Sequence, residues 1–323
     1  MTDTNPYDCL IIGGGPAGLT AAIYLSRFLL DIRVVDAGNS RAGWIPCSRN
    51  HAGYPDGING NELLQLMRDQ AQKYGAKIDS ARVSRLELGE DGMFSADWGQ
   101  GSRRARSVLL ATGVTNRRPP MDPDLHDDAM AAGLIRYCPI CDGFEVTDKK
   151  VGVIGSGESG VAEAMFLRSY TANITLIAPD GTLDLTNEEK GRLAAARVRC
   201  VDGPAEVMGV TGKSITVDSA EGLLTFDSIY PALGTDTHTQ LGKMVGATLA
   251  EDGCFLCDEK MRTSVPGLYA AGDVVHGLDQ ISHAMGEGGQ AATTIRNDLA
   301  DASPILREPV MTETQVETVE TDS

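Results

Sequence analysis

The stretch Cys9-Leu10-Ile11-Ile12-Gly13-Gly14-Gly15-Pro16-Ala17-Gly18 determines how the fold begins. Four residues typical of a buried strand run into a Gly-x-Gly-x-x-Gly turn, and an apolar helix is predicted from Leu19 to about Leu30. A second strand, residues 32–35, ends at Asp36, about 20 residues after the glycines. Strand, glycine turn, helix, strand and acid in this order predict a dinucleotide-binding unit of a Rossmann-type α/β fold.

The residues of this unit have separate predicted roles. Gly13 permits the tight turn, Gly15 lets the backbone approach a pyrophosphate, and Gly18 allows the helix to pack closely on the strand. The amides at the helix N-terminus favour the phosphates, and Asp36 is expected to accept hydrogen bonds from ribose hydroxyls.

A second unit of the same kind begins at Val151. Its turn is Gly155-Ser156-Gly157-Glu158-Ser159-Gly160, and the next strand covers residues 174–177. Gly155, Gly157 and Gly160 are therefore candidates for binding a second nucleotide.

The order of the segments predicts that the second unit is inserted into the first. We expect residues 1–115 and 238–301 to form the first domain and residues 116–237 to form the inserted one. Both are expected to be Rossmann-like, with three layers. A last helix is predicted around residues 289–299. Residues 302–323 are acidic and lack a periodic apolar face, so we expect a disordered tail.

Between the two glycine turns lies Cys138-Pro139-Ile140-Cys141, followed by Asp142. Such a pair can cycle between dithiol and disulfide, and a helix starting at Pro139 would favour a thiolate. Asp142 is positioned to move a proton to or from a thiolate. Core packing by inert cysteines is the alternative.

Other cysteines and histidines are weaker candidates. The chain has seven cysteines, an odd number with irregular spacing, which argues against a secreted disulfide framework. Cys254 and Cys257 are expected in a strand with side chains on opposite faces, without further ligands for a metal site. The roles of Cys47, His51, His276 and His283 stay open.

Composition limits the functional classes. The 323 residues are 42% hydrophobic and carry a formal charge of −17, which disfavours nucleic acid and anionic membranes as partners. The sequence shows no apolar run of membrane-spanning length and no secretory leader, so a cytoplasmic protein is expected.

Five motifs, in order and spacing, resemble the low-molecular-weight thioredoxin reductase family across roughly residues 7–300. They are Gly13-Gly-Gly-Pro-Ala-Gly18, Ala111-Thr-Gly113, Cys138-Pro-Ile-Cys-Asp-Gly143, Gly155-Ser-Gly-Glu-Ser-Gly160 and Gly272-Asp273. The resemblance implies a homodimeric flavoprotein with a thioredoxin-like partner. In it, Cys138 attacks the partner's disulfide and Cys141, nearer the flavin, resolves the mixed disulfide.

The resemblance also implies FAD in the first domain. Gln290 and Ala291 would lie beside the isoalloxazine at a helix N-terminus, Asn50 would line the flavin, and Asp273 would hold the ribityl or pyrophosphate region. The implied FAD-binding residues are Gly13, Gly15, Pro16, Ala17, Gly18, Asp36, Asn50, Ala111, Thr112, Gly113, Gly272, Asp273, Gln290 and Ala291.

The sequence departs from the family where NADPH is expected to bind. NADPH-using members carry arginines for the 2'-phosphate after the second strand, whereas this chain has Ala178-Pro179-Asp180-Gly181. Asp180 would repel that phosphate, which makes NADPH doubtful and leaves NADH or a non-nucleotide donor. Two alternatives to a thioredoxin reductase-like activity stay open: a small-dithiol oxidase that uses oxygen, and a non-catalytic flavin redox sensor.

Overall fold

The computed structural model describes residues 5–99 and 101–307. The predicted acidic tail lies mostly beyond the described part of the chain, because residues 308–323 fall outside it. The elements before the second glycine turn are β1 (Tyr7–Ile12), α1 (Pro16–Arg27), β2 (Ile32–Asp36), α2 (Gly60–Lys73), β3 (Lys77–Ser80), β4 (Arg85–Leu88), β5 (Phe94–Asp97), β6 (Ser102–Leu110), β7 (Val114–Asn116), α3 (Pro123–Ala131) and α4 (Pro139–Asp142).

Those that follow are β8 (Lys150–Ile154), α5 (Gly157–Leu167), β9 (Asn173–Ile177), α6 (Asn187–Ala195), β10 (Arg199–Val201), β11 (Glu206–Thr211), β12 (Ser214–Asp218), β13 (Leu224–Phe226), β14 (Ser228–Pro231), β15 (Thr235–Thr237), α7 (Gln240–Met244), β16 (Leu268–Ala270) and α8 (Ile281–Ala302). Short 3-10 helices cover Arg41–Trp44 and Gly143–Val146.

The predicted α/β fold with two Rossmann-like units is confirmed. The first sheet has the order β3-β2-β1-β6, with β5 and β16 both pairing with β6, and its β1, β2, β3, β6 and β16 are parallel. The second sheet has the order β10-β9-β8-β14 and is parallel throughout. Parallel strands buried by helices explain the continuous apolar runs before each glycine turn.

A short antiparallel ribbon joins the two parts. The chain leaves the first sheet after β6 and returns to it through α7 and β16, and at the crossing β7 pairs with β15. Asn116 lies opposite Thr235, and Val114 lies opposite Thr237. The outgoing and returning strands therefore lie side by side.

The prediction for the last helix was wrong at its start. α8 begins at Ile281 rather than near Gly289. Gly286, Gly288 and Gly289 lie within the helix, although glycine has low helix propensity. A Cβ at Gly288 would lie 2.3 Å from the carbonyl oxygen of Ala17, so glycine there permits close packing of α8 on α1.

A second correction concerns Cys254 and Cys257. The segment does not form the expected strand; Phe255 makes isolated bridges to Leu249 and Val275 instead. Cys254 Sγ lies 3.9 Å from the Thr237 hydroxyl, and Cys257 Sγ lies 4.0 Å from the carbonyl of Ala270. Burial raises the pKa of Cys257 to about 12, so it remains a thiol at neutral pH.

Candidate active site

The first glycine turn is packed too closely to tolerate side chains. Gly13 has φ +112°, and a Cβ there would lie 2.1 Å from the carbonyl oxygen of Ala111. A Cβ at Gly18 would lie 2.0 Å from the carbonyl oxygen of Gly13. Gly15 precedes α1 and supplies no side-chain cap, which leaves the first amides of the helix for another acceptor.

These amides face a cavity of about 910 Å³. Its volume is within the range of sites that bind extended cofactors. The predicted site residues that line it are Gly13, Gly15, Pro16, Ala17, Asp36, Asn50, Ala111, Thr112, Gly113, Cys138, Cys141, Asp142, Gly272 and Asp273.

Gln290 and Ala291 do not take the predicted place at a helix N-terminus. Both lie in the third turn of α8; Gln290 is exposed and Ala291 is buried in the apolar core against α1. The residue that precedes the helix is Gln280, and it lines the cavity. A correct helix start would have revealed it from the sequence.

The Cys138–Cys141 pair forms a disulfide at the wall of this cavity. Pro139 is the first residue of the short helix α4, and Cys138 is its N-cap. The backbone N–H of Cys141 donates to Cys138 Sγ at 3.2 Å. Both cysteines are partly exposed, so the disulfide is open to the cavity.

One side chain from the part of the chain that contains the first sheet, that of Gln280, contacts both sulfurs. Gln280 Nε2 lies 3.3 Å from Cys138 Sγ and 3.3 Å from Cys141 Sγ. Asn50 Nδ2 donates to Gln280 Oε1 at 3.0 Å. Asn50, which the sequence analysis selected, and Gln280, which it did not, both line the cavity.

Asp142 is held by two partners that the sequence did not indicate. Arg136 Nη1 donates to its carboxylate at 3.0 Å, and Tyr230 Oη donates to the other oxygen at 2.8 Å. Burial nevertheless outweighs these contacts and raises the pKa of Asp142. A carboxyl group with a raised pKa beside a disulfide can hold and release protons nearer neutral pH.

Glu163 of α5 completes this acidic cluster. Its Oε1 is buried and has no hydrogen-bond partner among the residues that the structure describes. Burial, and secondly the charge of Asp142, raise the pKa of Glu163 to about 7. Glu163 is therefore a second carboxyl group of the inserted part that gains and loses its proton near physiological pH.

The acids near the first glycine turn are also paired. Asp36 Oδ1 accepts from the backbone N–H of Gly14 and of Gly38, both at 3.1 Å, while Arg68 contacts its other oxygen at 2.8 Å. Asp36 is 7% exposed, so little of it remains free for a ribose hydroxyl.

Arg41 lines the same cavity and bridges two carboxylates. Its Nη1 is 3.2 Å from Asp273 and 2.6 Å from Asp279. Burial and the neighbouring Asp279 raise the pKa of Asp273, although Arg41 opposes this. Arg41 is the cation on this part of the lining that the sequence reasoning missed.

An aromatic cluster connects the two parts beside the disulfide. Trp44 packs edge-on against His126 of α3 at 5.9 Å and against Tyr137 at 6.1 Å, measured between ring centroids. Arg118 covers the Trp44 ring at 4.6 Å. His126 Nε2 is 2.7 Å from Tyr137 Oη, next to Cys138 in sequence. This Trp44 cluster packs the segment after β2 against α3 and against the residue before Cys138.

Three histidines left open by the sequence lie off the cavity lining, within the described chain. His51 contacts Ser282 at 3.2 Å, His276 pairs with Asp252 at 2.6 Å, and His283 pairs with Glu287 at 3.0 Å. His238, which the sequence reasoning did not select, lines the cavity instead.

The second glycine turn is covered by its own chain. The backbone N–H of Gly157, the first residue of α5, donates to the carbonyl of Asp184 at 3.0 Å. The hydroxyl of Ser156 also donates to that carbonyl at 3.2 Å, and it accepts the N–H of Asp184 at 2.9 Å. The residues after β9 therefore occupy an amide that a dinucleotide phosphate uses in this type of turn.

A family model for pyridine nucleotide-disulphide oxidoreductases matches residues 7–288. The chain belongs to this family. The thioredoxin reductase of Listeria monocytogenes is 30% identical over 299 residues, which covers 88% of this chain and 91% of that protein. The thioredoxin reductase of Streptomyces coelicolor is 30% identical over 320 residues, with 95% of each chain covered.

Solved structures agree with these relatives. Thioredoxin reductase from Streptococcus pyogenes superposes with a TM-score of 0.83 at 26% identity, covering 93% of this chain and all of that one. HlmI superposes with a TM-score of 0.82 at 26% identity over 99% and 98% of the two chains. The predicted resemblance to thioredoxin reductases is confirmed, and the protein is an oxidoreductase of this type.

The family implies a flavin and a nicotinamide nucleotide. The first glycine turn fits a dinucleotide, because its glycines leave no room for side chains and no side chain of the described residues caps the first amides of α1 at the cavity. The second turn fits a nucleotide poorly, because Asp184 occupies its leading amide. Within the described residues, no helix has the length and apolarity to cross a bilayer.

Proposed function

We propose that this protein is an FAD-dependent thiol-disulfide oxidoreductase that exchanges two electrons with a thioredoxin-like partner through Cys138 and Cys141. The observation that carries the proposal is the position of the disulfide on the wall of the cavity that begins at the first glycine turn. The residues of that turn would hold the pyrophosphate of FAD, and Asp273 would lie near its ribityl chain. Bound FAD would supply or accept the two electrons.

The protein residues manage sulfur exchange and protons. A partner dithiol that reduces the disulfide loses two electrons and two protons and becomes a disulfide itself. The enzyme disulfide takes up the two electrons, so one of Cys138 and Cys141 becomes a thiolate and the other becomes a thiol with one of the two protons. The second proton goes to Asp142 or to water. We assign exchange with the partner to Cys138 and contact with the flavin side to Cys141. The same steps in reverse reduce a partner disulfide.

We further propose that NADPH does not serve as the electron donor. Residues 178–181, which follow β9, contain Asp180 and no Lys or Arg, so a 2'-phosphate at these positions would meet a negative charge instead of arginines. The Asp184 carbonyl also competes for the amide of Gly157. NADH lacks the 2'-phosphate but needs the same amide, so a non-nucleotide donor is favoured over both.

A second function follows from the same observation: oxidation of a small dithiol with oxygen as the final acceptor. A disulfide open to a large cavity suits a small dithiol, and such an enzyme needs no nucleotide at the second turn. The two functions share every residue at the disulfide and differ in partner. We also propose a cytoplasmic homodimer. Each subunit would have an FAD-binding domain, residues 1–115 and 238–301, and an inserted domain, residues 116–237.

Anaerobic reduction of the FAD-loaded protein separates these possibilities. Reduced thioredoxin or a small dithiol should bleach the flavin band, and Cys138→Ser and Cys141→Ser should each abolish this bleaching. Failure of every dithiol to bleach the wild-type flavin would refute the thiol-disulfide activity and leave a non-catalytic sensor. Rapid bleaching by NADPH or NADH would refute the proposal about the donor. Oxygen uptake driven by a small dithiol alone would favour the oxidase over the thioredoxin-linked enzyme.

A further inference from the structure

Among the described side chains, Gln280 is the polar one that contacts both sulfurs of the disulfide. Its Nε2 is 3.3 Å from Cys138 Sγ and 3.3 Å from Cys141 Sγ. A side-chain amide nitrogen carries two hydrogens, so one N–H is available for each sulfur. The residue lies about 140 positions away along the chain, and it reaches the disulfide from the N-terminus of α8.

The hydrogen-bond network determines which end of the Gln280 amide faces the sulfurs. Ser48 Oγ donates to Asn50 Oδ1 at 3.2 Å, which turns Asn50 Nδ2 towards Gln280. Asn50 Nδ2 then donates to Gln280 Oε1 at 3.0 Å. With its oxygen engaged in this way, Gln280 presents its NH₂ group to the disulfide. Ser48 is buried, which gives the arrangement a firm base.

A hydrogen-bond donor in this place acts mainly on the reduced state. Disulfide sulfur is a weak acceptor, whereas a thiolate is a charged one and receives stronger hydrogen bonds. When an external thiolate attacks one sulfur, a new S–S bond forms, the Cys138–Cys141 bond breaks, and the other sulfur leaves with the electron pair. An N–H already directed at each sulfur stabilises that charge as it develops.

We propose that Gln280 is a catalytic residue that stabilises the thiolate released from the Cys138–Cys141 disulfide, and that Asn50 is the positioning residue that orients its amide. The inference rests on the proposed thiol-disulfide function. It assigns to these two residues a role towards sulfur in addition to any contact with FAD. It also makes the sulfur chemistry depend on both parts of the chain being in contact.

The charged groups around α4 are separate from this pair. Asp142 is bound by Arg136 and Tyr230, and Glu145 lies 3.8 Å from Arg49. Glu163 lies on α5, which packs next to α4. Substitution of Gln280 or Asn50 leaves all of these groups in place, so a change in thiol acidity in such variants reports on the amide.

The test is the pH dependence of alkylation in the FAD-loaded protein after reduction with dithiothreitol. Iodoacetamide labelling, resolved for Cys138 and Cys141 by mass spectrometry, yields the apparent pKa of each thiol without relying on turnover. We expect Gln280→Leu to raise the pKa of the more acidic thiol and to slow its alkylation at pH 7 by about tenfold or more, as expected for the loss of a hydrogen bond to a charged group. Gln280→Glu should slow it further.

Two controls keep the result interpretable. Gln70→Leu, on the exposed face of α2, should leave the alkylation profile unchanged. Asn50→Ala retains Gln280 and should shift the profile in the same direction by a smaller amount, which provides a test if Gln280→Leu fails to fold. Profiles of Gln280→Leu and Asn50→Ala that match wild type would overturn the inference. Failure of thiols to reduce the flavin would instead overturn the proposed function, because alkylation does not depend on it.

Discussion

The partly buried carboxyl of Glu163 makes the stability of the protein depend on pH. Its pKa rises from 4.5 to about 7 because burial disfavours the charged form and because Asp142 adds a second negative charge. Between pH 4.5 and about 7, the folded protein therefore holds a proton on Glu163 that the unfolded chain has released. Its stabilising effect is complete below pH 4.5 and is lost as the pH rises to about 7.

We predict that Glu163→Gln stabilises the protein at pH 8, because the amide has the same shape and no charge to bury. A pKa displaced this far corresponds to about 3 kcal/mol in the free energy of unfolding. For a chain of this size, that is an increase of about 5 °C in the melting temperature. At pH 4.5 the wild-type carboxyl is protonated in the folded protein and about half protonated in the unfolded chain, so the two proteins should melt within about 1 °C of each other.

The measurement is thermal unfolding of the FAD-loaded proteins at several pH values between 4.5 and 8. Glu158→Gln is the matched control, since Glu158 is exposed in the first turn of the same helix and its substitution should not create this pH-dependent difference. Equal melting temperatures of wild type and Glu163→Gln at pH 8 would show that the carboxyl is solvated or paired. A difference of constant size at all pH values would indicate a packing effect rather than titration.

Three further predictions concern packing and charge. Gly18→Ala should abolish FAD retention, because its Cβ would lie 2.0 Å from a backbone oxygen. The ratio of flavin to protein absorbance measures how much FAD is retained. As the control, Gly191→Ala adds a Cβ in open space and should retain the flavin. Trp44→Leu should lower the free energy of unfolding by about 0.5–1.5 kcal/mol for each aromatic pair that is lost. It should also speed amide hydrogen exchange in β7 and β15. Unchanged exchange would show that the Trp44 cluster does not stabilise the contact between the two parts. Arg136→Met should raise the pKa of Asp142 further, because the positive charge of Arg136 lowers it in the wild-type protein. The measurement is the pH profile of flavin reduction by a dithiol, and an unaltered profile would contradict the prediction.

Local sequence patterns predicted the elements that position the flavin site. β1, the glycine turn and β2 follow directly from an apolar run, glycines and an acid, because backbone geometry decides them over a few residues. The disulfide motif could also be predicted, since Pro139 is typical of a first helical position and the short helix α4 begins there.

Contacts between distant segments could not be predicted in this way. The glycines of α8 have low helix propensity, and the nearby backbone of Ala17 explains why Gly288 lies inside the helix. With the helix start misplaced, the sequence predicted Gln290 rather than Gln280 at the helix N-terminus. Likewise, the contact between the Asp184 carbonyl and Gly157 is made by backbone groups, so side-chain identity could not predict it.

The ribbon of β7 and β15 also has an evolutionary consequence. Because Asn116 and Thr235 are paired neighbours, residues 117–234 enter and leave at one point, like a cassette. Joining the two ends by a tight turn would leave the flavin-binding sheet's own connections intact. An exchange of residues 117–234 at this point would replace the disulfide and leave the strand pairings of the first sheet unchanged. The incoming segment would still have to place its sulfurs against Gln280, which lies outside the exchanged residues.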